Sequence, residues 1–130
     1  MKSKFGVLAA LLSATFSSQL RAETPAYWNQ FRGPNGSGMA SDSRPPLKPG
    51  PDSVAWKSPV PQGLSAPVLS ENRIFLTGFE DGKLVTLAID KASGKKMWQQ
   101  AAPKVPIEKF HEANSPASPS ALVDKDRVFV

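Results

Sequence analysis

The sequence contains no cysteine, one histidine and one tyrosine among its 130 residues. Without cysteine there is no disulfide framework, no thiolate metal site, no thiol nucleophile and no cysteine-linked lipid. A single histidine, His111, cannot by itself build an imidazole zinc site. The longest apolar run, Phe5–Phe16, is twelve residues, whereas spanning a bilayer takes about 20. Strong basicity is also missing once the leader is set aside. Residues 1–22 hold Lys2, Lys4 and Arg21 and no acid, so the rest of the chain has 13 Lys+Arg against 11 Asp+Glu and the net charge falls from +5 to +2. No basic run interleaved with aromatics remains, which argues against nucleic-acid binding.

The N-terminus is patterned as an export signal. Met1-Lys2-Ser3-Lys4 is a basic start, the twelve-residue apolar run follows, and Leu20-Arg21-Ala22 precedes the first acid, Glu23. That order predicts a signal peptide over 1–22, cleaved after Ala22 and leaving no membrane anchor. The expected location is therefore periplasmic or extracellular, and a cysteine-free exported chain must be held by packing alone.

Residues 23–52 read as an irregular Pro/Gly-rich arm. Segment 23–63 contains eight of the 13 prolines and five of the nine glycines, residues that disfavour helix and promote turns. Tyr27, Trp28 and Phe31 are placed to pin the arm to a neighbouring surface. Within it "SVAWKSPV" (53–60) is the best strand candidate, bounded by prolines. From Ser65 the pattern becomes β-type, with strands expected near 66–70, 73–79, 83–90 and 95–101 and turns at Glu71-Asn72, Asp81-Gly82 and Ser93-Gly94. "KLVTLAID" (83–90) is apolar on both faces, as in a strand covered on both sides.

The chain is also self-similar. "PVLSENRIFL" (67–76) matches "ALVDKDRVFV" (121–130) at an offset of 54, while Trp56 and Trp98 are 42 apart. The offsets agree if 12 residues are inserted after Trp98, around "PKVPIEKFHEAN" (103–114). A unit of 42 residues falls in the range of roughly 40–45 for a four-stranded propeller blade. The predicted fold class is all-β: a β-propeller of antiparallel four-stranded blades, about two of them present in 53–130. In that reading 53–60 is a closing strand, 65–102 a blade, 103–114 an inserted loop and 115–130 the start of the next blade. Since a closed propeller takes about 4–8 blades and Val130 falls within an expected strand, the chain is expected to be the N-terminal piece of a longer protein.

A tryptophan can clasp neighbouring blades if a small residue leaves room for its ring and a glycine lets a backbone plane approach. Ala88, Gly94 and Trp98 supply those needs in "AIDKASGKKMW" (88–98). This stretch resembles the tryptophan-docking motif of the pyrroloquinoline-quinone-type (PQQ-type) repeat propeller family, in which an alanine, an aspartate, a threonine-glycine pair and a tryptophan recur at this spacing. Ala88, Asp90, Gly94 and Trp98 match that pattern, and Ser93 stands where threonine is usual. "YWNQFRGPNGSG" and "NSPASPSALVDKDRVFV" also resemble exported bacterial propellers of this class. The resemblance implies that Trp56 is a docking tryptophan on a closing N-terminal strand.

Other motifs weigh toward turns. "GPNGSG" (33–38) lacks the Gly-Lys-Ser/Thr ending of a phosphate loop, and Asn35-Gly36-Ser37 is a glycosylation acceptor pattern. Asp81, Asp90, Asp124 and Asp126 sit where turns call for them, without metal-loop spacing. No Gly-x-Ser-x-Gly elbow is present. The inserted segment is the best place for an individual function, because long connections on a rigid scaffold carry recognition. Its Lys109, Phe110, His111, Glu112 and Asn114 form the candidate recognition loop.

The leading reading is a non-catalytic binding or scaffolding module that meets a protein or glycan partner through its loops, with no assignable cofactor. The same family includes a propeller lipoprotein that assists outer-membrane protein assembly, although the absence of cysteine speaks against that attachment. The alternative implied by the resemblance is a quinoprotein dehydrogenase holding pyrroloquinoline quinone and calcium. Its vicinal cysteines, aspartate base and calcium ligands have no assignable counterparts in this sequence.

Overall fold

A computed structural model describes residues 27–40, 43–104 and 106–130; the expected signal segment lies outside them. Among the described residues the structure is β-rich, with two three-residue 3-10 turns, Pro34–Gly36 and Pro51–Ser53. Strands β1 (Val68–Leu69), β2 (Arg73–Glu80), β3 (Lys83–Asp90) and β4 (Lys96–Ala101) form one antiparallel sheet in that order. Strands β5 (Leu122–Asp124) and β6 (Arg127–Phe129) form a second, two-stranded sheet. The expected Asp81-Gly82 turn joins β2 to β3, with φ of 50° and 73°, the left-handed pair that fits a tight hairpin to twisted strands.

Cross-strand register explains the sheet's first face. Val68 pairs with Phe75, Phe75 with Ala88, and Ala88 with Trp98, so these four side chains share one row. A one-residue bulge at Met97 resets the register between Ala88 and Ile89, keeping Trp98 beside Ala88. Val68, Phe75 and Ala88 pack with Ala121 and Val123 of the second sheet, and Val128 borders the cluster. All five core members are at most 3% exposed. The first core thus joins two sheets rather than filling one.

The opposite face carries Val85, Leu87 and Ile89, also buried, so β3 is covered on both sides. Part of this cover is the segment between Pro51–Ser53 and β1. A Cβ built on Gly78 would lie 2.7 Å from Cβ of Pro61, and Gly78 stands opposite Val85. The expected strand over 53–60 is not a strand. Residues 53–60 carry no bridge or strand, and the chain first pairs with β2 just beyond them, through the isolated bridge Gln62–Phe79. Pro59 and Pro61 withhold amide donors from any ladder, and Trp56 faces the β3–β4 turn.

The repeat is visible in three dimensions. Leu122 pairs with Phe129 and Val123 with Val128, which is the register of Val68–Phe75 and Leu69–Ile74 displaced by 54 positions. Burial does not repeat with the register. Val68 and Phe75 are 0% and 3% exposed, whereas Leu122 and Phe129 are 39% and 50% exposed.

The arm adds a strap across both sheets. The Leu69 amide donates to the Trp28 carbonyl at 2.6 Å, and the Val123 amide donates to the Asn29 carbonyl at 2.8 Å. Asn29 Nδ2 returns a bond to the Val123 carbonyl at 3.1 Å. Backbone groups at the free edges of β1 and β5 are thereby satisfied.

Candidate functional site

Two groups of residues singled out in the sequence take on defined geometry. The first is the tryptophan–glycine arrangement around the β3–β4 turn. Asp90 organises this turn: its Oδ1 accepts from the Ser93 amide at 2.8 Å and from Ser93 Oγ at 2.6 Å. The Gly94 amide donates to the Asp90 carbonyl at 2.9 Å, and the Asp90 amide donates to the Lys95 carbonyl at 2.9 Å. Both Ser93 bonds favour the ionised carboxyl, with a smaller contribution from Lys95, so the Asp90 pKa is lowered.

The turn's backbone receives Trp56. Gly94 is buried at φ 71°, and a Cβ there would lie 2.5 Å from Trp56 Cδ2 and closer still to Cε3. Only glycine accommodates both the left-handed backbone and the overlying ring. Trp56 Nε1 donates to the Lys91 carbonyl at 3.0 Å, so the indole's polar edge is satisfied while its face covers the glycine. Ala88, Gly94 and Trp98 do not form a self-contained clasp: Trp98 is too near Gly94 in sequence to fold over it from the same strand. Instead Trp98 stands beside Ala88, its ring 6.0 Å from that of Phe75 and tilted by 49°. It remains 38% exposed and lines a cleft of about 470 Å³ with Tyr27, Phe75 and Val128.

A second tryptophan–glycine contact lies in the arm. A Cβ on Gly33, at φ 67°, would lie 2.5 Å from Trp28 Cδ2. The sequence marks Trp28 as a pin but carries no sign that Gly33 is its seat or that Asn29 ties the two sheets. The available signal was a tryptophan followed five residues later by a glycine, too common a pattern to select. Of the other two aromatic pins, Tyr27 lines the Trp98 cleft, while Phe31 is 63% exposed.

The inserted segment forms the second group. Phe110, Glu112 and Asn114 line one cleft of about 530 Å³ together with Gln62, Leu64 and Phe79. Its turn is held locally: His111 Nδ1 accepts from the Ala113 amide at 3.1 Å, and the Asn114 amide donates to the His111 carbonyl at 2.8 Å. Asn114 Oδ1 accepts from the Ser115 amide at 2.9 Å and from Ser118 Oγ at 2.5 Å. His111 is thus a turn residue that shapes the loop, and neither it nor Lys109 lines the cleft. The facing wall, Gln62, Leu64 and Phe79, was not foreseen, because it depends on the Gln62–Phe79 bridge.

Among the described residues no three His, Asp or Glu side chains are grouped as metal ligands, and no helix is long and apolar enough to cross a membrane. Comparison with protein-family models, with curated proteins and with solved structures finds no match to this chain.

Proposed function

We propose that the chain is an exported, non-catalytic binding or scaffolding module built on the blade pattern of PQQ-type repeat propellers. Support for the blade pattern comes from the two hairpins in identical register 54 residues apart and from the seating of Trp56 on Gly94. In this reading Leu122 and Phe129, on the face of the second sheet opposite Val123 and Val128, form the surface on which a further blade packs, as β5 and β6 pack on β1–β4. Export follows from the leader pattern of residues 1–22 and places the mature N-terminus at Glu23.

The observation that carries the binding role is the convergence of Phe110, Glu112 and Asn114 with Gln62, Leu64 and Phe79 on one cleft. An insertion that folds back to build a concave, mixed aromatic and polar surface on a hydrogen-bonded scaffold suits recognition. The test is a photo-crosslinker at position 110 in the exported protein, with adducts identified by mass. A discrete adduct that disappears when residues 107–113 become a Gly/Ser linker is expected. An adduct that survives the exchange, no adduct at all, or saturable calcium-dependent binding of pyrroloquinoline quinone would overturn the reading.

A further inference from the structure

The turn in the arm carries chemistry that the binding role does not use. The chain has four asparagines, and only Asn35 is followed by glycine. Asn35 is exposed, at φ 57° and ψ 16°, a left-handed conformation that asparagine tolerates. Among the described residues the side-chain bonds of this turn run from Ser37 Oγ to the Pro34 carbonyl and from the Met39 amide to Ser37 Oγ, leaving the Asn35 side-chain amide unused. The other asparagines are differently placed. Asn29 Nδ2 is tied to the Val123 carbonyl, and Asn114 Oδ1 accepts from Ser115 and Ser118. Asn72 precedes Arg73, whose own side chain crowds the next amide nitrogen. At Gly36 no atom lies within 4 Å of the position a Cβ would take, so the nitrogen after Asn35 is unshielded. That amide donates to the Gly33 carbonyl at 3.0 Å. The same carbonyl also accepts from Gln30 Nε2 at 3.0 Å, so it stays paired when the Gly36 amide lets go.

We propose that Asn35 is a site of spontaneous covalent modification, converted in the folded chain to aspartate and isoaspartate. The Gly36 nitrogen attacks the Asn35 side-chain carbonyl carbon, the new C–N bond closes a succinimide ring, and the side-chain nitrogen leaves as ammonia. Water then opens the ring, giving aspartate when it adds at the side-chain carbonyl and isoaspartate when it adds at the backbone carbonyl. Either product adds one negative charge, taking the chain after the leader from +2 to +1. Isoaspartate also routes the main chain through the former side chain. One extra backbone atom then enters the ring closed by Gly36 and Gly33, and those closed by the Ser37 amide on the Pro34 carbonyl at 3.2 Å and the Gly38 amide on the Arg32 carbonyl at 2.8 Å. Gly33 is held from its other side, its amide donating to the Gln30 carbonyl at 2.9 Å, so the turn opens while the Trp28 seat and the strap stay in place. The inference is independent of the binding-module reading.

The full chain, kept at mildly alkaline pH and sampled over weeks, tests it by peptide mapping with isoaspartyl labelling. Residue 35 is expected to gain isoaspartate about tenfold faster than Asn72 or Asn114, because a glycine nitrogen follows it alone, and the rate should rise with pH as the attacking amide ionises. Asn35→Gly keeps the left-handed backbone without strain and removes the electrophile, so this segment should then gain none. In the converted chain the Ser37 and Gly38 amides should exchange about tenfold faster, with Leu69 and Val123 unchanged. Isoaspartate spread evenly over the asparagines overturns the proposal. So does a residue 35 that stays intact in the folded chain over a time that converts it in urea. Faster exchange at Leu69 and Val123 after conversion would overturn the insulation of the strap.

Discussion

Gly94 and Asp90 fix the same turn by different means, and the difference can be measured. At Gly94 any side chain meets both a left-handed backbone and the Trp56 ring. Gly94→Ala should therefore cost about 2–4 kcal/mol in urea unfolding, of which roughly 1–2 kcal/mol is backbone conformation and the rest lost ring packing. Removing the ring itself, Trp56→Ala, should also cost about 2–4 kcal/mol, against about 1–2 kcal/mol for the more exposed Trp98→Ala. Equal losses for the two tryptophans would show that Gly94 is not the seat that matters. Asp90 acts through charge. Its carboxyl is held below the ordinary aspartate range by the Ser93 hydroxyl and amide, so folding favours the ionised form. The associated stability is present above about pH 4, the ordinary aspartate value, and is lost as the pH falls through the lowered folded value. In Asp90→Asn that acid-side loss should shrink, which melting temperatures between pH 3 and 6 would reveal. The residues of this turn were legible because a short polar turn has local chemistry. The identity of the ring above Gly94 was not, since Trp98 shares the motif with that glycine while the ring that covers it, Trp56, arrives from 38 residues upstream by a path that no local pattern declares.

At the scale of elements, the strands were readable and the extended segments were not. β2, β3 and β4 declare themselves through β-branched runs between turn pairs, and the two apolar faces of β3 signal double cover. Segment 53–60 has the same strand-like composition, but Pro59 and Pro61 leave it without a ladder and it meets the first sheet through Trp56 at the β3–β4 turn. β1 shows a related substitution of side chain for backbone. Ser65 Oγ accepts from the Thr77 amide at 3.1 Å and donates to the Thr77 carbonyl at 2.9 Å, taking the place of a strand residue where the chain bends between Gln62 and Val68. Ser65→Ala should leave Thr77 with an unpaired, part-buried amide and cost about 1–3 kcal/mol. The arm's strap responds to a different change. Gly33→Val would push Trp28 off its seat and lift the strap, so amide exchange at Leu69 and Val123 should accelerate about tenfold, equivalent to about 1.4 kcal/mol of lost protection. Unchanged exchange at both amides would mean that the strap does not depend on the Trp28–Gly33 contact.

For the molecule as a whole, the 54-residue offset was legible because it is written in matching residues, and it predicts the register of the second hairpin from the first. How the hairpins share a core was not legible, because burial depends on what stands opposite each face. Val68 and Phe75 meet Ala121 and Val123, whereas their repeat mates Leu122 and Phe129 meet no comparable layer among the described residues. A hairpin of two three-residue strands has little stability of its own, so β5 and β6 must draw theirs from the shared core and from Asn29. The reverse dependence also holds, since Val123, 1% exposed, closes the core over Phe75 and Ala88. Val123→Ala should then cost about 1–3 kcal/mol, and the cost should be felt in both sheets. Hydrogen exchange is the discriminating measurement. If the sheets form one cooperative unit, the slowest amides of β2 and β3 should lose protection by the same free energy as those of β5 and β6. Loss confined to β5 and β6 would make the second hairpin an appendage that opens by itself, and the inter-sheet core would then not be what holds the first sheet together.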